Sequence, residues 1–205
     1  MKRLSLLAAG LIALCTALPA QAEKYRVDLI VFLDQSGPAG ESLGPPRTPD
    51  SANAFEPTEI ARLRAAGIEI LPDERFGLMQ QWQRLKNSRR QEPVLRVAWL
   101  QKDPPAERGT ALRLRWGQPL ALTTASGASA IYPVDGTVAL IAGHYLHLDA
   151  EFLHTQRTGG GDLGSFRLQE KRRVKRNELH HLDSPRLGLL VKVQKADAAP
   201  AKGGG

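Results

Sequence analysis

Tyr25-Arg-Val-Asp-Leu-Ile-Val-Phe-Leu33 is the stretch from which the fold can be read. Its first half alternates, but Leu29 to Leu33 is apolar without a break. Side chains alternate sides along a strand, so an unbroken apolar run signals cover on both faces. The stretch is expected to be the first strand of a sheet, buried on both sides.

Downstream, a segment rich in Pro, Gly and Ser from Asp34 to Pro57 reads as a long loop with little to pack. Thr58 to Ala66 is expected as a short helix, with Thr58 as N-cap and Gly67 as its stop. From Asp73, apolar residues recur every three positions at Phe76, Met79, Trp82 and Leu85. That spacing predicts a helix capped by Asp73, with basic residues in its last turn and Pro93 ending the segment. Strands are then expected at Val94–Gln101, Ala111–Trp116, Thr137–Ala142, Tyr145–Phe152, Ser165–Arg173 and Leu187–Val193. Thr158-Gly-Gly-Gly-Asp162 reads as a hairpin connection between two of them. One β–α–β unit followed by a run of strands argues an α+β fold. The expectation is a single domain over residues 23–194, a mainly antiparallel sheet with one or two helices packed on it. A disordered tail is expected over residues 195–205.

Upstream, Lys2 and Arg3 precede an apolar run from Leu4 to Leu18, then Pro19 and Ala20-Gln21-Ala22. A basic start, a short apolar core and an A-x-A site make residues 1–22 a cleavable secretory signal. The run is shorter than the ~20 residues a bilayer span needs, so no membrane span is expected after cleavage. Cys15, the chain's one cysteine, leaves with the signal, so neither a disulfide nor a thiol nucleophile is expected. Losing Lys2 and Arg3 takes the net charge from +7 to +5. The remaining excess is concentrated in Arg167, Lys171, Arg172, Arg173, Lys175 and Arg176. Behind an export signal such a run points away from nucleic acid and towards anionic wall polymers or lipid headgroups. It equally describes a solvated strand face.

Strand parity sharpens this reading. Phe166, Leu168, Glu170, Arg172 and Val174 share one side, so Glu170 and Arg172 face the apolar side and must be paired. Arg172 is expected to pair with Glu170, Glu178 or Asp183 as a structural residue. Lys171, Arg173 and Lys175 face the other way, as an exposed contact stripe. Tyr145, His147 and Asp149 are expected on one strand face, where a ring, an imidazole and a carboxylate suit a shallow polar binding surface and equally an ordinary solvent face. Glu178-Leu-His-His-Leu-Asp-Ser-Pro-Arg-Leu-Gly188 packs two histidines, two acids, a proline and a glycine into eleven residues. Glu178, His180 and Asp183 are candidates to gather as a small polar site. Asp183 is expected to accept from backbone amides in a turn directed by Pro185, with Gly188 permitting close approach. No His-Glu-x-x-His, Gly-x-Ser-x-Gly or Ser-x-x-Lys motif occurs, and adjacent histidines on a strand point apart. Catalytic residues, a metal and a cofactor are therefore not expected. The three tryptophans share faces with aliphatic residues and are expected in the core.

These pieces together resemble the CsiV family of periplasmic peptidoglycan-binding proteins. The resemblance rests on the signal segment, Tyr25–Phe32, Gly143-His-Tyr-Leu-His-Leu148 and, above all, Arg172-Arg-Val-Lys-Arg-Asn-Glu-Leu-His-His-Leu-Asp-Ser-Pro-Arg-Leu-Gly-Leu-Leu-Val191. His181 stands where the family usually has tyrosine, and Ser184 where it has histidine. The resemblance implies a Gram-negative periplasmic protein that binds peptidoglycan without catalysis and supports regulation of its synthesis. Two alternatives remain open. One is an adaptor for a peptidoglycan synthase or its lipoprotein activator; the other is a wall hydrolase using Glu178 or Asp183.

Overall fold

In the computed structural model, which describes residues 23–35, 43–124 and 127–196, β1 (Lys24–Asp34) is the middle strand of a five-stranded sheet. The expected signal segment, part of the expected Asp34–Pro57 loop and the chain beyond residue 196 lie outside the described residues. The other elements, in chain order, are β2 (Ala54–Phe55), α1 (Ile60–Ala65), β3 (Ile68–Ile70), α2 (Met79–Lys86), β4 (Gln91–Lys102) and β5 (Ala111–Trp116). There follow β6 (Leu120–Thr124), β7 (Gly127–Ile131), β8 (Val134–Ala142), β9 (Leu146–Arg157), β10 (Leu163–Arg173), β11 (Leu179–Asp183) and β12 (Leu187–Lys195).

The fold is α+β and dominated by antiparallel pairing, but the strands form two stacked sheets rather than one. The first sheet runs β11-β12-β1-β4-β3, the second β10-β9-β8-β5-β2, and β6 and β7 form a separate hairpin. Only β2 against β5 is parallel among these ladders. Between the sheets lies one apolar core, in which Val27, Leu29 and Val31 meet Leu140, Leu148 and Phe152. Each such side chain, fully buried, contributes roughly 1.5–3 kcal/mol.

The continuous run in β1 now has its cause. Leu29 and Val31 face the second sheet, whereas Ile30 and Phe32 face outwards onto Leu71, Phe76, Leu78 and Leu85. That outer cover is not the single helix the three-residue spacing predicts. A 3-10 turn at Asp73–Arg75 ends at Phe76, whose backbone is extended, and α2 starts afresh at Met79. Leu78 is buried in place of Met79, which is exposed. Asp73 does not cap a helix; its carboxylate pairs with Arg96 of β4.

The cover is held down through charge. Asp28, on the outward face of β1, is 1% exposed. It accepts two bonds from the Arg26 guanidinium, at 2.8 and 2.9 Å, and one from the Gly77 backbone N–H at 2.6 Å. This pairing raises the Arg26 pKa further. Arg96 reaches up from β4, its guanidinium 4.9 Å from the Trp82 ring and 5.7 Å from that of Phe76. An unpaired carboxylate buried at Asp28 would cost several kcal/mol, so the loop and the strand specify each other.

Smaller corrections follow the same physics. The α1 N-cap is Glu59, not Thr58, and Glu59 Oε2 accepts from the Glu56 N–H. Gly67 stops the chain there with φ +73°. The described part of the 34–57 segment does pack: Gly44 pairs with Ser165, and the Asp50 N–H donates to Glu151 Oε2 at 3.2 Å. Pro93 lies inside β4, near the register shift at Val31/Phe32. Of the tryptophans, Trp99 is fully buried and Trp82 and Trp116 are half-buried against the two apolar clusters. Lys195, expected to open the tail, is the last residue of β12.

Candidate functional site

After β10 the chain must pass from the second sheet to the first, and this passage builds the site. The Val174 N–H donates to the Leu146 carbonyl at 2.9 Å, closing the β9–β10 ladder. Asn177 then adopts φ +66°, a left-handed conformation asparagine tolerates better than most residues, and its N–H donates to the Val193 carbonyl at 2.8 Å. Lys175, Arg176 and Glu178 are thereby left exposed at one end of the sandwich.

Facing them is the β8–β9 turn, Gly143 to Tyr145. Tyr145 is not on a strand with His147 and Asp149, as expected, but in this turn, with 53% of its surface exposed. The Arg173 guanidinium lies 3.4 Å from its ring centroid, a cation–π contact. Between turn and passage opens a cavity of ≈ 750 Å³, with Leu146 and Val174 in its wall.

Arg173, Lys175 and Arg176 bring positive charge to that cavity, against Glu178 and Glu23. Lys175 Nζ sits 3.5 Å from Glu178 Oε1, both side chains more than half exposed. An exposed pair of this kind contributes about 0–1 kcal/mol, so either charge is readily lent to a ligand. Glu23 is already engaged: the Tyr25 hydroxyl donates to it and Lys195 Nζ lies at 3.2 Å. Those partners, Tyr25 first, hold its carboxyl below the usual range. Burial and the Glu23 carboxylate together push the Tyr25 phenol up to about 12. With Glu23 neutralised by Lys195, the open balance of the cavity is cationic.

Four of the eight residues singled out from the sequence meet here: Tyr145, Arg173, Lys175 and Glu178. His180 stands behind them, its Nε2 accepting from the Lys175 N–H at 2.9 Å, so it pins the passage. His147 and Lys171 lie outside the cavity; Lys171 is across from Asp149, which pairs with Arg108 at 3.4 Å. Glu178, His180 and Asp183 do not gather. Asp183 ends β11, ~14 Å along the strand from its start, and has parity opposite to His180. The turn after it is closed not by Asp183 but by Ser184, whose N–H and Oγ–H donate to the Leu187 carbonyl at 2.8 and 3.1 Å. Pro185 is exposed in that turn. Gly188 lies opposite Phe32, so close that a Cβ would come within 2.2 Å of the ring.

Arg172 takes the first of its expected partners. Its Nε donates to Glu170 Oε1 at 2.5 Å, and Nη1 to the His181 carbonyl at 2.5 Å, tying the edge of one sheet to the edge of the other. The sequence reading missed Arg176, Glu23 and Tyr25 as site residues. Arg176 stood in the basic run; the other two carry no signal beyond membership of β1 and its approach.

A second cavity of ≈ 320 Å³ opens between β4 and β5. Its cations are all neutralised: Arg96 by Asp73, Arg113 by Asp135 and Arg115 by Glu56. It therefore lacks the free charge of the end cavity. Among the described residues no cluster of three or more His, Cys, Asp or Glu is placed to hold a metal. No helix among them is long and apolar enough to cross a membrane.

Fold and site together define a two-sheet module with a cationic, tyrosine-walled recess at one end. A family model described as "Peptidoglycan-binding protein, CsiV" matches residues 6–196, and the chain belongs to that family. No curated protein and no solved structure matches it.

Proposed function

We propose that this chain is a non-enzymatic periplasmic protein that binds peptidoglycan through the end cavity and supports regulation of wall synthesis. The observation that carries the reading is the convergence of Arg173, Lys175 and Arg176 around the exposed Tyr145 ring. Stem peptides of the wall carry carboxylates, which guanidinium and ammonium groups attract; glycan rings offer C–H faces to a tyrosine. Membership of a family named for peptidoglycan binding supports the same ligand. The hydrolase alternative finds little support, because Asp183 lies at the far end of β11 and does not converge with Glu178.

The test is co-sedimentation of residues 23–205 with purified sacculi across a salt series. The expected result is salt-sensitive pelleting, weakened about tenfold by Arg173→Glu, Lys175→Glu and Arg176→Glu together, at roughly 0.5 kcal/mol for each exposed contact. Unchanged pelleting of that variant would remove the cavity from the argument. Absence of pelleting by the parent protein would favour the adaptor for a synthase complex, and release of soluble fragments would favour a hydrolase.

A further inference from the structure

The second sheet ends at β10, and among the described residues most of that edge has no partner. At its start, the Ser165 N–H donates to the Gly44 carbonyl at 3.0 Å and the Gly44 N–H to the Ser165 carbonyl at 3.1 Å. Both backbone groups of Ser165 therefore point away from β9. In an antiparallel strand alternate residues share that direction, so Arg167, Gln169, Lys171 and Arg173 aim their N–H and C=O groups outwards too. Val174, of the other parity, donates to Leu146 on the β9 side, as this register requires. From Arg167 to Arg173 no described residue pairs with the outward groups, leaving ~20 Å of open ladder. Gly44 shows that a backbone from elsewhere in the chain can pair with this edge.

Charge selects what extends it. The side chains of Arg167, Lys171 and Arg173 flank the open ladder and are exposed. Arg167 is neutralised by Glu151 at 2.7 Å, whereas Lys171 and Arg173 have no carboxylate partner among the described residues. A second copy of this chain is the wrong occupant. The twofold register that fills the edge sets Arg167 opposite Arg173, and like charges directly opposite destabilise a sheet. An extended polypeptide with acidic residues at alternate positions meets both demands, with backbone groups for the ladder and carboxylates for Lys171 and Arg173.

We propose that the β10 edge from Arg167 to Arg173 is a strand-addition site for an acidic, extended segment of a partner protein, adjoining the wall-binding cavity through Arg173. Main-chain bonds supply the affinity and the two cations set the register.

The probe is an end-capped L-peptide, Thr-Val-Glu-Val-Glu-Val-Thr, titrated into residues 23–205 and followed by amide hydrogen exchange. Expected is saturable binding below about 1 mM, with slowed exchange at the amides of Arg167, Gln169, Lys171 and Arg173. N-methylation of the two peptide glutamates removes the donors that face β10 and should weaken binding about tenfold or more, as should Gln169→Pro, which deletes an outward N–H. The methylated peptide keeps the test valid if Gln169→Pro fails to fold. Equal affinity for the methylated peptide, exchange unchanged at those four amides, or no binding of the parent peptide overturns the proposal.

Discussion

Asp28→Ala removes a carboxylate that joins β1 to the segment covering its outer face. Three hydrogen bonds go with it, at 2.6, 2.8 and 2.9 Å, two from Arg26 and one from the Gly77 N–H. Breaking a buried ion pair by deleting one partner costs about 3–5 kcal/mol, mostly because the other charge is stranded. Here the Arg26 side chain is 25% exposed, so it regains part of its hydration, and a value near the lower limit, about 3 kcal/mol, is expected. For a domain of this size that is a fall in Tm of about 6–12 °C. Urea unfolding of residues 23–205 measures the loss. Hydrogen exchange locates it, since the Gly77 amide should lose protection before the amides of the central strands. A second variant separates stranding from lost packing: Arg26→Met with Asp28→Leu should recover at least about 1 kcal/mol relative to Asp28→Ala. A loss within about 0.5 kcal/mol of zero, the range of ordinary surface changes, would refute the reasoning. So would a double variant worse than the single one.

Two further outcomes are expected. Gly188→Ala places a methyl within 2.2 Å of the Phe32 ring, on which His181 also stacks at 5.6 Å; the overpacked variant should lose about 1–3 kcal/mol in urea unfolding, relieved by adding Phe32→Leu. His154 is held neutral by burial, which lowers its pKa, while its Nδ1–H donates to the Pro133 carbonyl at 3.1 Å. A histidine depressed in the folded state contributes stability above its unfolded pKa of about 6.5 that is lost as pH falls through the folded value. His154→Gln should flatten that part of the stability–pH profile, and an unchanged slope below pH 6.5 would assign it to other groups.

What could be read from the sequence was what depends on near neighbours. The double-sided burial of Leu29–Leu33, the inward parity of Glu170 and Arg172, and the hairpin at Thr158–Asp162 follow from period-two alternation and glycine, and the structure has them. The spacing of Phe76, Met79, Trp82 and Leu85 misled because a period of three fits a 3-10 turn followed by a new helix as well as one helix. β3, with three residues, and β6–β7, carried by Leu120-Ala-Leu-Thr-Thr124, are too short or too weakly patterned to stand out. Nothing local shows that the strands divide between two sheets. Tyr145 meets Arg173 through pairing inside the second sheet, since the β8–β9 turn and the start of the β10–β11 passage come together once β9 and β10 are paired. The extended strand β11 separates Asp183 from Glu178, residues that a loop would have allowed to converge.

The place of β1 has a consequence for how the molecule comes into being. Its neighbours are β12, which ends at Lys195, and β4, so the first of the described strands waits for the last of them. Such distant partnering makes folding slow, since a large loop must close before the ladder can form. A nascent chain that has not yet made β12 has the middle strand of its first sheet with one edge vacant. The first sheet is therefore completed only once β12 has been made, however early β1 is available.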